Sequence, residues 1–489
     1  MGFDDRNPVI VGVGQFKQQL EDVSLAEEQY VLMEQALRLA ADDAGAPKLL
    51  TDIDRLLVIG GMWSYPDPGR LIADAVGSSN ARTFLTAMGG NMPQATVSDC
   101  CERIAAGEMD IAAVVGGEAV YSKNKLRKLG KDLSKSGVDL EKAERFGENV
   151  SMSSQHERDK GFLMPTQIYP LFESAIRAHR KETHYEHRMR ISSLWEGFNR
   201  VAAANEHAWV QTPMTAEEIM EPTADNRMVG YPYTKAMNAN SFVDFGGAII
   251  ICSVAKARSL GIDSDNWVFP HSATDGHATF LFSERDNFHE SPAIRVTSKR
   301  CLELADISID NVGPMDLYSC FPSVVQITMN ELGIDPERAA TTTGGLSFFG
   351  GPMNSYVIHA IASTIDEIRK TGEYGFVHAN GGYATKHACA VYYNKPPKGQ
   401  FRRMNVQEEI EASPKREVEE NPIGKSVVEA YTVLHGREGP EKALMTTLME
   451  DGKRALASTS DAQTMQSMMS EEYVGKTLEF SANGSFEFV

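Results

Sequence analysis

Residues Thr83–Glu118 read TFLTAMGGNMPQATVSDCCERIAAGEMDIAAVVGGE. The run predicts a strand, a glycine turn, a helix and a second strand. Gly89-Gly90 ends the first strand. Asn91 and Pro93 suit the cap and first turn of the helix, because asparagine accepts from free N–H groups and proline needs none there. A tight turn onto a helix N-terminus is where α/β enzymes often hold a nucleophile, since the helix end stabilises negative charge. This turn carries no Ser, Cys or Asp.

The second half of the chain repeats the plan. Thr341–Gly382 reads TTTGGLSFFGGPMNSYVIHAIASTIDEIRKTGEYGFVHANGG. Both stretches place Gly-Gly before Asn-Met-Pro or Pro-Met-Asn, run through a long helix to Gly-Glu, and enter a strand that closes on Gly-Gly. The shared order of signals predicts an internal duplication. Strands such as PVIVGVGQ and IDRLLVIGG alternate with helical segments, which indicates buried, largely parallel sheets. From 119 to 234 the chain turns charged and rich in Met, His and aromatic residues, and a mostly helical insertion is expected. The predicted units are 1–268 (with 119–234 inserted), 269–395, a charged, proline-containing linker at 396–422, and a small β domain at 423–489. The order of several strands with one late helix suits an OB-like barrel. The linker composition suggests that few contacts cross it and that the barrel folds alone.

The 489 residues carry a formal net charge of −19, which disfavours nucleic acid and anionic membrane surfaces as partners. A local basic pocket for a phosphorylated ligand stays compatible with it. No apolar run approaches the ~20 residues of a membrane span, and the N-terminus lacks a signal-peptide pattern. Six scattered cysteines form no Cys-x-x-Cys pair, so neither zinc nor a redox motif is indicated and a cytoplasmic location is expected. His184 and His187 have helical metal-ligand spacing but no third ligand, so a solvated helix face is the expectation and no metal is assigned.

Tandem α/β halves, an inserted loop region and these glycine motifs resemble the thiolase superfamily, in particular sterol-carrier-protein-2-type thiolases and thiolase-like proteins with an extra C-terminal domain. The resemblance implies a duplicated αβαβα core and acetyl-CoA acetyltransferase chemistry on coenzyme A thioesters. Thiolases acylate a cysteine at the first-half helix N-terminus; by position and spacing Gly90, or a residue next to it (Gly89 or Asn91), stands there, and none of the three is a nucleophile. Their Asn-Glu-Ala-Phe or His-Asp-Cys-Phe motif is matched by Tyr318-Ser319-Cys320-Phe321. Their Gly-His-Pro motif is matched by Gly350-Gly351-Pro352, and their Cys-x-Gly motif falls on HANGG, with Ala379 at the cysteine and His378 and Asn380 beside it.

Every polar group of the usual catalytic set is therefore replaced. If chemistry persists, His387, His378, Tyr318 and Cys320 are the candidates to carry it, against the readings of a hydrogen-bonded histidine, a pocket-filling tyrosine and a small buried thiol. Gly90, Asn91, Gly351 and Asn380 are expected to line the substrate, and Arg227 and Lys235 to meet coenzyme A phosphates. No permanently bound cofactor is expected, the thioester being substrate or ligand. A homodimer is expected, with a monomer as the alternative. The two functional expectations are an acyltransferase with a non-standard site, and a silent acyl-CoA-binding or scaffold protein whose C-terminal barrel docks a partner.

Overall fold

A computed structural model describes residues 4–489. The chain first lays down β1 (Pro8–Lys17), β2 (Arg55–Val58), β3 (Arg82–Thr86), β4 (Ile111–Ala119) and β5 (Glu144–Phe146). The inserted region follows, with helices Pro165–Arg180 and His184–Ala204 and the short strands β6 (Met228–Gly230) and β7 (Tyr233–Thr234). β8 (Asp244–Ser253) then returns to the first sheet, whose order is β1-β8-β4-β2-β3-β5. The second sheet is built from β9 (Phe269–His277), β10 (Val312–Leu317), β11 (Tyr374–Gly381), β12 (Lys386–Tyr393) and β13 (Arg402–Asn405), ordered β10-β11-β12-β9-β13.

The duplication is visible in pairing sense as well as order. β1 pairs β8 antiparallel, β8 pairs β4 antiparallel, and β4 pairs β2 parallel. In the second half β9, β12, β11 and β10 repeat the same series with the same senses. Every residue of β4 and β8 is buried, as expected for strands covered on both faces. The helices Met92–Ala105 and Tyr356–Thr371 lie side by side between the two sheets. Both are buried around most of their circumference, which is why neither shows a clean polar stripe in sequence. β5 pairs β3 and so covers an edge that would otherwise present unpaired N–H and C=O groups.

The third sheet holds β14 (Gly424–His435), β15 (Pro440–Met449), β16 (Arg454–Thr459), β17 (Thr477–Phe480) and β18 (Phe486–Phe488), ordered β16-β15-β14-β17-β18. β6 of the inserted region pairs with β14 through Leu434 and Gly230. The pairing among described residues forms an open sheet rather than a closed ring.

Two expectations change here. The stretch 396–422 is more than a linker: β13 pairs parallel with β9, and the helix Gln407–Glu411 follows it. Val406 and Ile410 bury against Ala293, while Arg403 pairs with Asp275 and Glu102. Charge count concealed an apolar pair at the right spacing. Nor do few contacts cross to the C-terminal domain. Arg454, fully buried, clasps both carboxylate oxygens of Glu429 at 2.7 Å and donates to the carbonyls of Ser283 and Asp286 in the core at 2.7 and 3.1 Å. Arg177, on the inserted helix Pro165–Arg180, donates to Tyr431 at 2.8 Å and to Glu472 at 2.9 and 3.1 Å. Severing such a buried arginine from its carboxylate costs about 3–5 kcal/mol, so the two parts hold each other.

Candidate functional site

The turn Gly89-Gly90 delivers the helix Met92–Ala105 against the second half of the molecule. Asn354, from the turn of the second half, accepts from the Gly89 N–H at 3.1 Å and donates to the Gly60 carbonyl at 2.7 Å. Lys386, at the start of β12, donates to the Met88 carbonyl at 2.7 Å. The two glycine turns are thus stitched across the pseudo-symmetric halves. Gly89 has φ of 153°, a left-handed conformation that glycine adopts at no steric cost.

Gly90 is the tightest point. A Cβ added there would lie 2.3 Å from the Tyr318 hydroxyl and 2.4 Å from the Asn380 carbonyl oxygen. A Cβ at Gly381 would lie 2.6 Å from Asn91 Oδ1. Main chain and the Tyr318 ring therefore fill the space in front of the helix N-terminus. Gly351 differs: its nearest neighbours for a Cβ are Leu346 at 3.4 Å and Ala239 at 3.6 Å, ordinary van der Waals contacts, and its N–H donates to the Asn240 carbonyl at 2.8 Å.

Strand alternation separates the remaining candidates. On β12, Tyr392 reaches Gln94 of the central helix at 2.8 Å, whereas Cys389 meets Ser298 of an outer helix at 3.5 Å. By register, Ala379 shares the inner face with Ala388 and Tyr392, and His378, Asn380 and His387 share the outer face with Cys389. His378 and His387 thus point away from Gly90, contrary to the expectation that they stand with it.

The two histidines form a chain of their own. His387 Nε2 lies 3.1 Å from the Ala384 carbonyl, and His378 Nε2 lies 3.1 Å from His387 Nδ1. A carbonyl only accepts, so Nε2 of His387 carries the proton, its Nδ1 accepts from His378, and Nδ1 of His378 is left as a bare acceptor. That atom is buried without a partner, as are Oδ1 of Asn91 and Oδ1 of Asn380. Burial holds His378 down to about 3. His387 is also held well below its ordinary value, by burial first and by His378 and Arg285 next.

Cys320 is 8 % exposed, and burial pushes its thiol up to about 12. Burial likewise raises the Tyr318 hydroxyl above the ordinary phenol range. Tyr169, from the inserted helix Pro165–Arg180, stacks on Phe321 with centroids 4.4 Å apart. Its hydroxyl accepts from Asn380 at 3.1 Å and Ala384 at 2.8 Å and donates to the Gly382 carbonyl at 3.0 Å. Nothing in sequence marked Tyr169, one aromatic among many on a helix. Asn354 and Lys386 had a signal, since both sit in the glycine motifs.

Arg227 and Lys235 are not brought to this place. Arg227 donates to the Met228 carbonyl at 2.9 Å and to His435 of β14 at 3.4 Å, and Lys235 to the Asp225 carbonyl at 3.2 Å. His187 is not on a solvated face. It is buried between Glu173 and Glu182, at 2.8 and 2.7 Å. Among the described residues no cluster of three or more His, Cys, Asp or Glu is arranged to hold a metal, and no helix is long and apolar enough to cross a membrane.

Residues 405–485 match the thiolase-like protein type 1 additional C-terminal domain. Over 99% of both chains the structure superposes, at TM-score 0.84 and 28% identity, on a monomeric SCP2-thiolase-like protein type 1 from Mycobacterium smegmatis. The chain has the thiolase-like fold with an extra C-terminal domain. The dimeric peroxisomal thiolase of Saccharomyces cerevisiae shares the fold at TM-score 0.58 and 12% identity, covering 81% of this chain and 99% of that one. An acetyl-CoA acetyltransferase of Methanocaldococcus jannaschii is 22% identical over 160 residues, 32% of this chain and 39% of the relative. The match therefore spans about two fifths of that curated protein's length.

Proposed function

We propose that this thiolase-like protein binds acyl-CoA or a similar thioester without performing the thiolase reaction. The observation that carries the reading is the packing at Gly90. Where the resemblance calls for a cysteine, the Tyr318 hydroxyl stands 2.3 Å from the place of a Cβ. Glycine at 90 and 351 and alanine at 379 supply no nucleophile, no base to activate one and no acid/base for a carbanion. The candidates nearest in sequence do not compensate. A thiol pushed up to about 12 is protonated near neutrality, and histidines held far below their ordinary values are weak bases.

Binding is supported by what the closed site still offers. Asn91 Oδ1, buried without a partner beside the glycine turn, is an acceptor for a bound donor such as water or a ligand amide. Calorimetric titration of the full chain with acetyl-CoA and longer acyl-CoAs tests the reading. Saturable heat is expected, and its absence with every thioester would remove it. The second reading, an acyltransferase with a non-standard site, would need a base; the one bare ring nitrogen among the candidates, Nδ1 of His378, is buried on the face turned from Gly90 and is held down to about 3. We further propose a cytoplasmic monomer, supported by the covered edge at β5 and by the monomeric relative, with the C-terminal domain as a scaffold element.

A further inference from the structure

A cavity of about 930 Å³ opens between the inserted helices and the second half, lined by Leu194 and Phe198 on one side and Ile327 and Ile334 on the other. It shares no lining residue with the turn at Gly90. Its volume lies at the upper end for small-molecule sites, which are mostly apolar with a few placed polar groups.

Its floor is one face of the helix His184–Ala204, where Arg190, Leu194, Gly197, Phe198 and Val201 follow helical spacing. Gly197 sits in the interior of that helix, where glycine costs about 0.5–1 kcal/mol relative to alanine. No backbone requirement explains it: among the chain's left-handed glycines it is absent. A Cβ there would meet only the Arg200 guanidinium, at 3.8 Å. The glycine keeps the cavity deep at a position where a side chain would fill it.

The wall carries Arg180, Arg190, Arg200 and Arg338 against Asp335 and Glu337, in a chain whose net charge is −19. Arg180 and Arg190 share one carboxylate, Glu182, at 2.8 and 2.7 Å. Arg338 donates to the carbonyls of Ile309 and Val312, which are neutral. Arg200 is exposed and has no hydrogen-bonded or ionic partner among the described residues.

The geometry points to a binding site for an anionic amphiphile, an acyl chain lying along Leu194, Phe198 and Ile327 with its acidic head on Arg200 and Arg338. Guanidinium groups without carboxylate partners suit a carboxylate or phosphate head through paired, charge-assisted hydrogen bonds. A free long-chain acid and an acyl-CoA share this chemistry. The site is separate from the turn at Gly90 and does not rest on the reading given for it.

The test is fluorescence titration of the full-length chain with cis-parinaric acid, a polyene carboxylate, with competitors and two variants. Saturable binding of one probe per chain is expected, displaced by palmitate or palmitoyl-CoA and not by dodecyltrimethylammonium. Whichever of the two displaces more strongly identifies the source of the chain. Arg200→Glu, at an exposed position, should weaken binding about tenfold, the equivalent of about 1.4 kcal/mol. Gly197→Leu, which fills the cavity and favours the helix, should weaken it at least as much, with the thermal transition retained. No saturable binding, unchanged affinity in both variants, or equal displacement by the cationic amphiphile would overturn the proposal. Gly197→Leu leaves Gly90 untouched, so loss of acetyl-CoA binding and loss of this site are read separately.

Discussion

Gly90 and Gly351 both stand where the family resemblance calls for a reacting side chain, yet their surroundings are opposite. At Gly90 a Cβ would collide with a hydroxyl at 2.3 Å and a carbonyl at 2.4 Å. At Gly351 the nearest atom is 3.4 Å away and belongs to a flexible leucine side chain. The first glycine is required by packing, whereas the second leaves room for a Cβ at ordinary contact distance. A site can therefore lose its chemistry in two physically distinct ways, and only the first closes the route back.

The largest effect should come from forcing the first position open. Gly90→Cys is expected to destabilise the chain by about 3 kcal/mol, because overpacking displaces both a ring and main chain. Denaturant unfolding measures it. Adding Tyr318→Ala should recover part of that loss, since residues in contact are non-additive. Strict additivity would mean that Tyr318 is not what fills the space.

A smaller effect concerns the dry outer face of β11 and β12. The folded-state values of His378 and His387 are depressed, so both stay neutral in the native chain and charge more readily when unfolded. Their contribution to stability is present above the unfolded value of about 6.5 and is lost progressively as pH falls towards about 3. Unfolding between pH 7 and 4.5 should show that decline, and His378→Phe should flatten it. A native histidine signal titrating near 6.5 at either position would contradict the buried account.

The smallest effect is expected at the second glycine. Gly351→His should cost about 1–2 kcal/mol, less than Gly90→Cys, with no gain of thiolysis, because a base without a nucleophile has nothing to activate. A large loss of stability there would erase the contrast between the two positions.

The contrast was half legible in sequence. Glycines at 90 and 351 could be read directly, as could the duplicated strand–turn–helix plan, because both depend on local turn and periodicity signals. That Tyr318 fills the gap could not be, since the two residues are 228 positions apart in numbering and meet only through the packing of the two halves. His378 and His387 were nominated because they neighbour the glycine loop in sequence. A period of two along β11 and β12 turns them to the other face, and which parity faces the helix is fixed by contacts such as Tyr392 with Gln94. Tyr169 arrives from the inserted region, whose placement no local pattern encodes. The stretch 396–422 misled through its charge, because two buried residues, Val406 and Ile410, decide its packing.

The central claim is that no group at the closed site accepts an acyl chain. The direct measurement is the intact mass of the wild-type chain after incubation with acetyl-CoA, followed by peptide mapping. The account predicts an unmodified mass and no adduct on any of the six buried cysteines. A stable acetyl adduct mapped to Cys320 would contradict it.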